Sequence, residues 1–273
     1  MRLRALSVCV WRVSLTALIV GGISHGCCSS SARPQAALTD ESHCTVIFEV
    51  AQTRPWALYD VSRTVLVLYS DGRVLLSAGQ PAESGSGYLD GRLSPAEVAQ
   101  VAREVCCFSD RRDLEDYYDL AASTDLPILT ISLRGAADCR KIRVDGLSCN
   151  SGALQLEPEP RELPVALGDF AVLYSKVWRQ AVGTACEWMP RHIEIAAWDF
   201  AHARSVLPWP PDWPVPPCSE DPNCTDCTFV LPGEYLDGVR ALLRNRPPTC
   251  AIEIADRKWT MSWRPLMPHE EAE

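Results

Sequence analysis

Residues 64–77 read TVLVLYSDGRVLLS. Two apolar runs rich in β-branched residues flank Asp71-Gly72, a dipeptide whose preference for positive φ suits a tight turn between antiparallel strands. The stretch predicts a β-hairpin closed by a two-residue type I′ turn. Ser94-Pro95-Ala96-Glu97 then reads as a capping box, in which Ser94 caps, Pro95 opens the first turn and Glu97 reaches back. Val98, Val101, Ala102 and Val105 recur behind it at helical spacing, giving one apolar face on a helix of about three turns. LPILTISL (126–133) and RKIRVDG (140–146) read as a second strand pair joined by RGAAD.

A proline-and-acid stretch, LEPEPRELP (156–164), reads as a linker. It leads into VALGDFAVLYSKVWRQAV (165–182), where Leu167, Phe170, Ala171, Tyr174, Val177 and Trp178 mark a helix face. HIEIAAW (192–198) is a strand and EYLDGVRALLRN (234–245) a short helix. PWPPDWPVPP (208–217) can be neither helix nor central strand, because proline fixes φ and removes amide donors, so an extended surface segment is expected. CAIEIADRKWTMSWRP (250–265) gives two alternating strands around Asp256-Arg257, with Trp259, Met261 and Trp263 on one face.

Strands thus arrive as adjacent pairs separated by single helices. That order predicts an α+β fold of antiparallel strand pairs with single helices packed on the sheet, and not a doubly wound parallel sheet. The expected organisation is a signal peptide over 1–26, a flexible tether over 27–43, an α+β domain or half-domain over 44–155 and a second over 165–265. Whether 156–164 separates two domains or spans one sheet stays open at this level.

LVLYSDGRVLL, LDGRLSPAEV and STDLPILTISL resemble, in order and spacing, a bacterial domain family of unknown function found in predicted secreted proteins and lipoproteins. Its pattern runs as a YxDG hairpin, an LSxEEV helix start and a TDxP strand, and the likeness covers about residues 64–145. That family has a Cys-Pro-x-Tyr lead-in where this chain reads SRTVLVLY. From about 165 to 269 the chain resembles uncharacterised bacterial envelope proteins ending in KWxxSWRPxxPHE. The resemblance implies fold and location, and no activity.

The first thirty residues agree with that location. MRLRALSVCVWR (1–12) carries Arg2, Arg4 and Arg12 and no acid, and the apolar run VSLTALIVGGI (13–23) is only 11 residues long. A membrane span needs about 20 apolar residues, so this is the shape of a secretory signal. SHG leads directly into Cys27, which resembles the bacterial lipoprotein signal and marks Cys27 as the lipidated residue. Ser24 stands where that signal usually has Leu, Cys28 is a second candidate acceptor, and an ordinary cut near Ala32 or Ala37 is the competing reading. SSSARPQAALTDES beyond it has the composition of a flexible tether. Gly22-Ile23-Ser24-His25-Gly26 matches a hydrolase nucleophile elbow, but that motif needs a strand before it and a helix after it, so it is set aside. The expected location is the cell envelope through a lipid anchor, or the periplasm or exterior if the ordinary cut applies.

The chain has 273 residues and a formal charge of −9; loss of residues 1–26 removes three arginines and no acid, leaving 247 residues at −12. Sustained negative charge argues against nucleic acid as a partner, which would call for phosphate-neutralising Lys and Arg, and leaves neutral, cationic or protein partners. Thirteen cysteines in an exported chain predict a disulfide-stapled fold with at least one thiol left over.

Few residues carry a chemical pattern. Cys218, Cys224 and Cys227, with Cys250 downstream, would hold a tetrahedral zinc ion or form loop disulfides, and the five-residue gap suits the disulfides better. Cys224-Thr-Asp-Cys227 lies among acids, which is the wrong charge environment for a redox thiolate. Vicinal Cys106-Cys107 is expected to pair elsewhere or pack as small hydrophobes. His43, His192, His202 and His269 have no serine or carboxylate placed beside them by sequence. Asp113, Glu115, Asp116, Asp119 and Asp125 lack the spacing of a calcium loop and read as a solvated face. Trp209 and Trp213 offer an aromatic surface for a sugar or a proline-rich peptide, or a lid on the sheet of Trp259 and Trp263. No catalytic residue is assigned and no cofactor is called for. The expected role is a lipid-anchored protein with a binding or structural surface and a protein or carbohydrate partner; the competing class is a secreted hydrolase or inhibitor module with an unassigned site.

Overall fold

A computed structural model describes residues 45–53, 62–78, 87–121, 125–135, 139–150, 152–156, 162–217, 224–244, 246–247 and 249–271, all within a unit spanning 40–273. The signal, Cys27 and the tether lie outside the described residues.

The hairpin forms as β2 (Arg63–Tyr69) and β3 (Arg73–Ser77), with Leu66, Val67 and Leu68 opposite Leu76, Leu75 and Val74. Its turn has one residue more than the Asp-Gly dipeptide implies. The Gly72 N–H donates to the Tyr69 carbonyl at 3.0 Å and Gly72 alone has positive φ, at +88°, so Ser70-Asp71-Gly72 is a three-residue loop with a glycine bulge. A Cβ at Gly72 would also sit 2.6 Å from the Leu93 carbonyl oxygen. The two-residue type I′ turn occurs instead at the end of the chain. There Ala255 and Asp256, at φ +50° and +62°, join β14 (Cys250–Ile254) to β15 (Arg257–Pro265), one position earlier than expected.

β2 is buried along nearly its whole length, which is why its sequence is a continuous apolar run and not an alternation. It lies inside an eight-stranded sheet ordered β10 (Cys186–Glu187), β4 (Tyr88–Arg92), β3, β2, β1 (Val46–Thr53), β6 (Ile128–Arg134), β7 (Cys139–Asp145) and β5 (Tyr117–Asp119). All neighbours are antiparallel except β5 and β7. Leu66 and Leu68 face α1 (Pro95–Ser109) and α2 (Val165–Val182), whereas Val67 and Tyr69 face the opposite side. On the helix side the ring of Phe170 from α2 meets Phe48 of β1 at 6.1 Å and Phe108 of α1 at 5.6 Å, tying three elements at one point. The small hairpin of β8 (Leu147–Asn150) and β9 (Ala153–Leu156) closes the same core. α1 begins with the expected box: Ser94 N–H and Oγ both donate to Glu97 Oε2 at 2.7 Å, and Glu97 N–H donates to Ser94 Oγ at 3.4 Å.

The second sheet is ordered β12 (Ser205–Pro208), β14, β15, β11 (His192–Asp199) and β13 (Asp226–Pro232), antiparallel except for β12 beside β14. Its core face carries Ile193, Ile195 and Ala197 of β11 against α3 (Leu236–Arg244), with Leu236 and Val239 buried. The stretch 156–164 does not part the two sheets: α2 fills the first core and β10 pairs with β4, so the second sheet begins only at His192. The architecture is mixed α+β, mostly sheet, with three α-helices among the described residues.

The expected disulfide staples are corrected. Among the described residues the thiols of Cys106, Cys107, Cys139, Cys149, Cys186, Cys224 and Cys250 are free. Apart from Cys106 and Cys107, adjacent on α1, they sit on different parts of the fold, and bridging needs Cα atoms within about 7 Å. A unit of this size buries enough apolar surface to fold without staples, unlike the small secreted domains that depend on them.

Candidate functional site

From Ser205 to Val239 the sequence contains six acids, Asp212, Glu220, Asp221, Asp226, Glu234 and Asp237, and no Lys, Arg or His. The proline-rich stretch within it is firmly mounted. β12 runs parallel to β14 as far as Pro208 beside Glu253, and the Trp209 N–H continues the ladder by donating to the Glu253 carbonyl at 3.0 Å. The Trp213 N–H donates to Pro210 at 3.1 Å, and the Trp209 indole Nε1 donates to the Pro214 carbonyl at 3.1 Å. Prolines that cannot join a sheet thereby serve as acceptors that fix the two tryptophans.

The rings interlock. Trp209 and Trp213 are 5.1 Å apart at 89°, Trp209 meets Phe229 at 5.9 Å, and Trp213 meets Tyr235 at 5.6 Å. All are edge-to-face contacts, the geometry that ring quadrupoles favour. Trp213 lies against α3 at Gly238, where a Cβ would come within 2.5 Å of its Cζ2 atom. Phe229 is buried, while Trp209, Trp213 and Tyr235 remain part-exposed, and Val215 on the same stretch is 72% exposed. The packing favours the lid on the second sheet, and the two rings are only partly covered by it. They close the edge of the second core and keep an outward aromatic surface.

The cysteine cluster does not assemble among the described residues, and Cys218 lies outside them. Cys227 stands on β13 opposite Ala197, and Ala197 stands opposite Met261 on β15. Cys250 lies on β14, beyond β15, so three strand spacings of roughly 14 Å in all separate it from Cys227. That span is too long for a disulfide or a shared zinc ion. Cys107 is exposed on α1 with Cys106 half-buried beside it. Cys149 is 2.5 Å from the Tyr174 phenol oxygen; burial pushes the Cys149 thiol up to about 11, the phenol contact opposing it, and burial likewise raises the Tyr174 phenol.

The acidic loop after α1 is tied to the protein and not held open for a cation. Arg140 donates to Asp116 at 2.7 Å and to the carbonyls of Ser109, Arg111 and Leu114, while Arg111 pairs with Asp113 and with Asp169 of α2. Hydrogen bonding to Arg111 holds the Asp113 carboxyl below its ordinary range.

The sequence reading missed a polar seam beneath the end of the chain. Tyr69 Oη is 3.0 Å from His269 Nδ1, and His269 Nε2 faces Glu49 at 3.7 Å. Glu49 accepts from Thr64 Oγ1 at 2.7 Å. Arg264 is clamped between Glu194 at 2.7 Å and Glu270 at 2.6 Å. Burial alone would lower the Arg264 guanidinium, and the two carboxylates outweigh it and raise it. His192 pairs with Glu271 at 3.0 Å, whereas His202 is exposed in the turn after β11. His43 lies outside the described residues. Between these polar groups Met267 packs on Val67, Tyr69, Leu75, Tyr88 and Trp188, so RPLMPHEE is a latch across the helix-free face of the first sheet. Its only sequence signal is the closing run of mixed polar and apolar residues, because its partners lie far upstream.

Compared with protein-family models, curated proteins and solved structures, the chain matches none of them.

Proposed function

We infer that the chain is an exported, membrane-tethered protein, lipidated at Cys27, that acts by binding and presents the Trp209–Trp213 surface to a protein or carbohydrate partner. One observation carries the reading. Two tryptophans are locked edge to face, with the Trp209 ring N–H and both backbone N–H groups already satisfied, yet keep outward ring surface. Rigid aromatic surface costs little ordering entropy on association, and it is the kind of anchor from which binding surfaces draw most of their energy. His269 does not favour the hydrolase reading, because the hydroxyl it reaches belongs to Tyr69, which is fully buried, and the contact holds the latch.

Two measurements test this. The intact mass of protein extracted from its own cell envelope should start at Cys27 and include acyl chains; a soluble species starting near Ala32 or later removes the tether. Photo-oxidation of Trp209 and Trp213 should be slower in intact envelopes than in purified protein, and equal rates would remove the binding role. The free thiols do not follow from an oxidising compartment, and alkylation without prior reduction, read in the same mass spectrum, weighs them against export.

A further inference from the structure

We propose that the partner of the aromatic surface is a cationic peptide segment, rich in arginine or lysine, whose side chains stack on Trp209, Trp213 and Tyr235 against a rim formed by Asp212, Glu234 and Asp237. The inference rests on the binding role just given and adds the chemistry of the partner.

The charge is local and one-sided. Six acids and no base between Ser205 and Val239 account for most of a chain charge of −9. Asp212 immediately precedes Trp213, and Glu234 and Asp237 flank Tyr235, which meets Trp213 edge to face. All three carboxylate residues are exposed. Of the bases near this segment, Arg257 donates to the Cys224 carbonyl and lies over the Trp259 ring at 4.5 Å, and Arg240 is buried. A guanidinium or ammonium is drawn to the face of an indole and is held further by carboxylates at the ring edge. An anionic partner would meet the exposed carboxylates of Asp212, Glu234 and Asp237, and a neutral proline-rich peptide or sugar would use the rings but leave the rim idle. The chain thus offers two features that one class of ligand satisfies together.

The test uses the full chain and fluorescein-labelled hexa-arginine, hexaproline and hexaglutamate peptides, read by anisotropy at 50 and 300 mM NaCl. Hexa-arginine is expected to bind, and to weaken about tenfold on replacing Trp213 by Ala and about tenfold in the triple variant D212N/E234Q/D237N. Trp213→Phe keeps a ring at the site and should retain most of the affinity, so a failure of the alanine variant to fold does not decide the matter. Hexaglutamate should not bind. If hexaproline binds as well as hexa-arginine, needs Trp213 and ignores the triple substitution, the surface binds but the cationic assignment falls. If hexa-arginine binding is lost in the triple variant yet unchanged in Trp213→Ala and Trp213→Phe, the attraction is bulk charge and the cationic assignment again falls. If none of the three peptides binds, or none depends on Trp213, both the assignment and the binding role are overturned.

Discussion

The phenol oxygen of Tyr69 lies 3.0 Å from Nδ1 of His269, two hundred positions further along the chain. The contact fixes one end of the segment that follows β15, as Arg264 between Glu194 and Glu270 fixes the other. Met267 is seated between them on an apolar, aromatic patch of the first sheet. Polar clamps at both ends thus position an apolar plug in the middle.

Replacing Arg264 by Met should loosen that plug, because it leaves Glu194 and Glu270 facing each other without the shared cation. About 2–3 kcal/mol of stability should be lost, less than for a wholly buried pair because the Arg264 side chain remains 20% exposed. Urea unfolding of the full chain measures it, and an unchanged midpoint would show that the clamp contributes nothing.

The thiols should divide by exposure and by pH. At pH 8 and without reductant, Cys107, Cys139 and Cys186 should take up iodoacetamide readily, while buried Cys250 and proton-retaining Cys149 stay unmodified. The folded protein holds the Cys149 proton more tightly than the unfolded chain. Its contribution is therefore complete below the ordinary thiol value of 9.0 and is lost as pH rises from there towards about 11. Denaturant midpoints should fall over that interval, and Cys149→Ala should flatten the fall. Peptide mapping that finds Cys149 modified first at pH 8 would contradict this.

Ala255 occupies the left-handed region at φ +50°, where a Cβ is unwelcome. Ala255→Gly removes that strain in a turn of the type glycine suits, so it should stabilise the protein by about 0.5–1 kcal/mol despite the added freedom of the unfolded chain. A thermal midpoint that falls would mean the turn relaxes around alanine at no cost.

Arg140→Lys keeps the charge but loses the planar fork that reaches Asp116 and three carbonyls together. A single ammonium cannot meet that set, and a loss of roughly 1–3 kcal/mol is expected, together with faster amide exchange over residues 110–116. Equal exchange in the two proteins would assign the ordering of this loop to other contacts.

Local signals were the readable part of this fold. The Ser94 box, the Asp71-Gly72 hairpin, the helix over 165–182 and the strand at His192 each depend on residues within a few positions of one another. The central strand β1 escaped notice because VIFEVAQT gains its meaning only between β2 and β6, and its pairing with β2 is interrupted by two register shifts. The staples failed for a related reason: a cysteine count reports compartment chemistry, whereas pairing depends on distances the strand order sets. At the candidate site Trp209 and Trp213 stood out by their proline neighbours. That they would meet Phe229 and Tyr235 depended on β13 and α3 arriving at the same edge.

The docking of Met267 also bears on the order of events in folding. Its platform draws on β2, β3, β4 and Trp188, so residues 67–188 can be synthesised and partly collapsed while that face still lacks its cover. Closing it requires contacts between segments about two hundred residues apart, the kind of closure that slows folding and leaves sticky intermediates. Until residues 266–271 have emerged that apolar face stays uncovered, and the chain is most exposed to aggregation in the same interval.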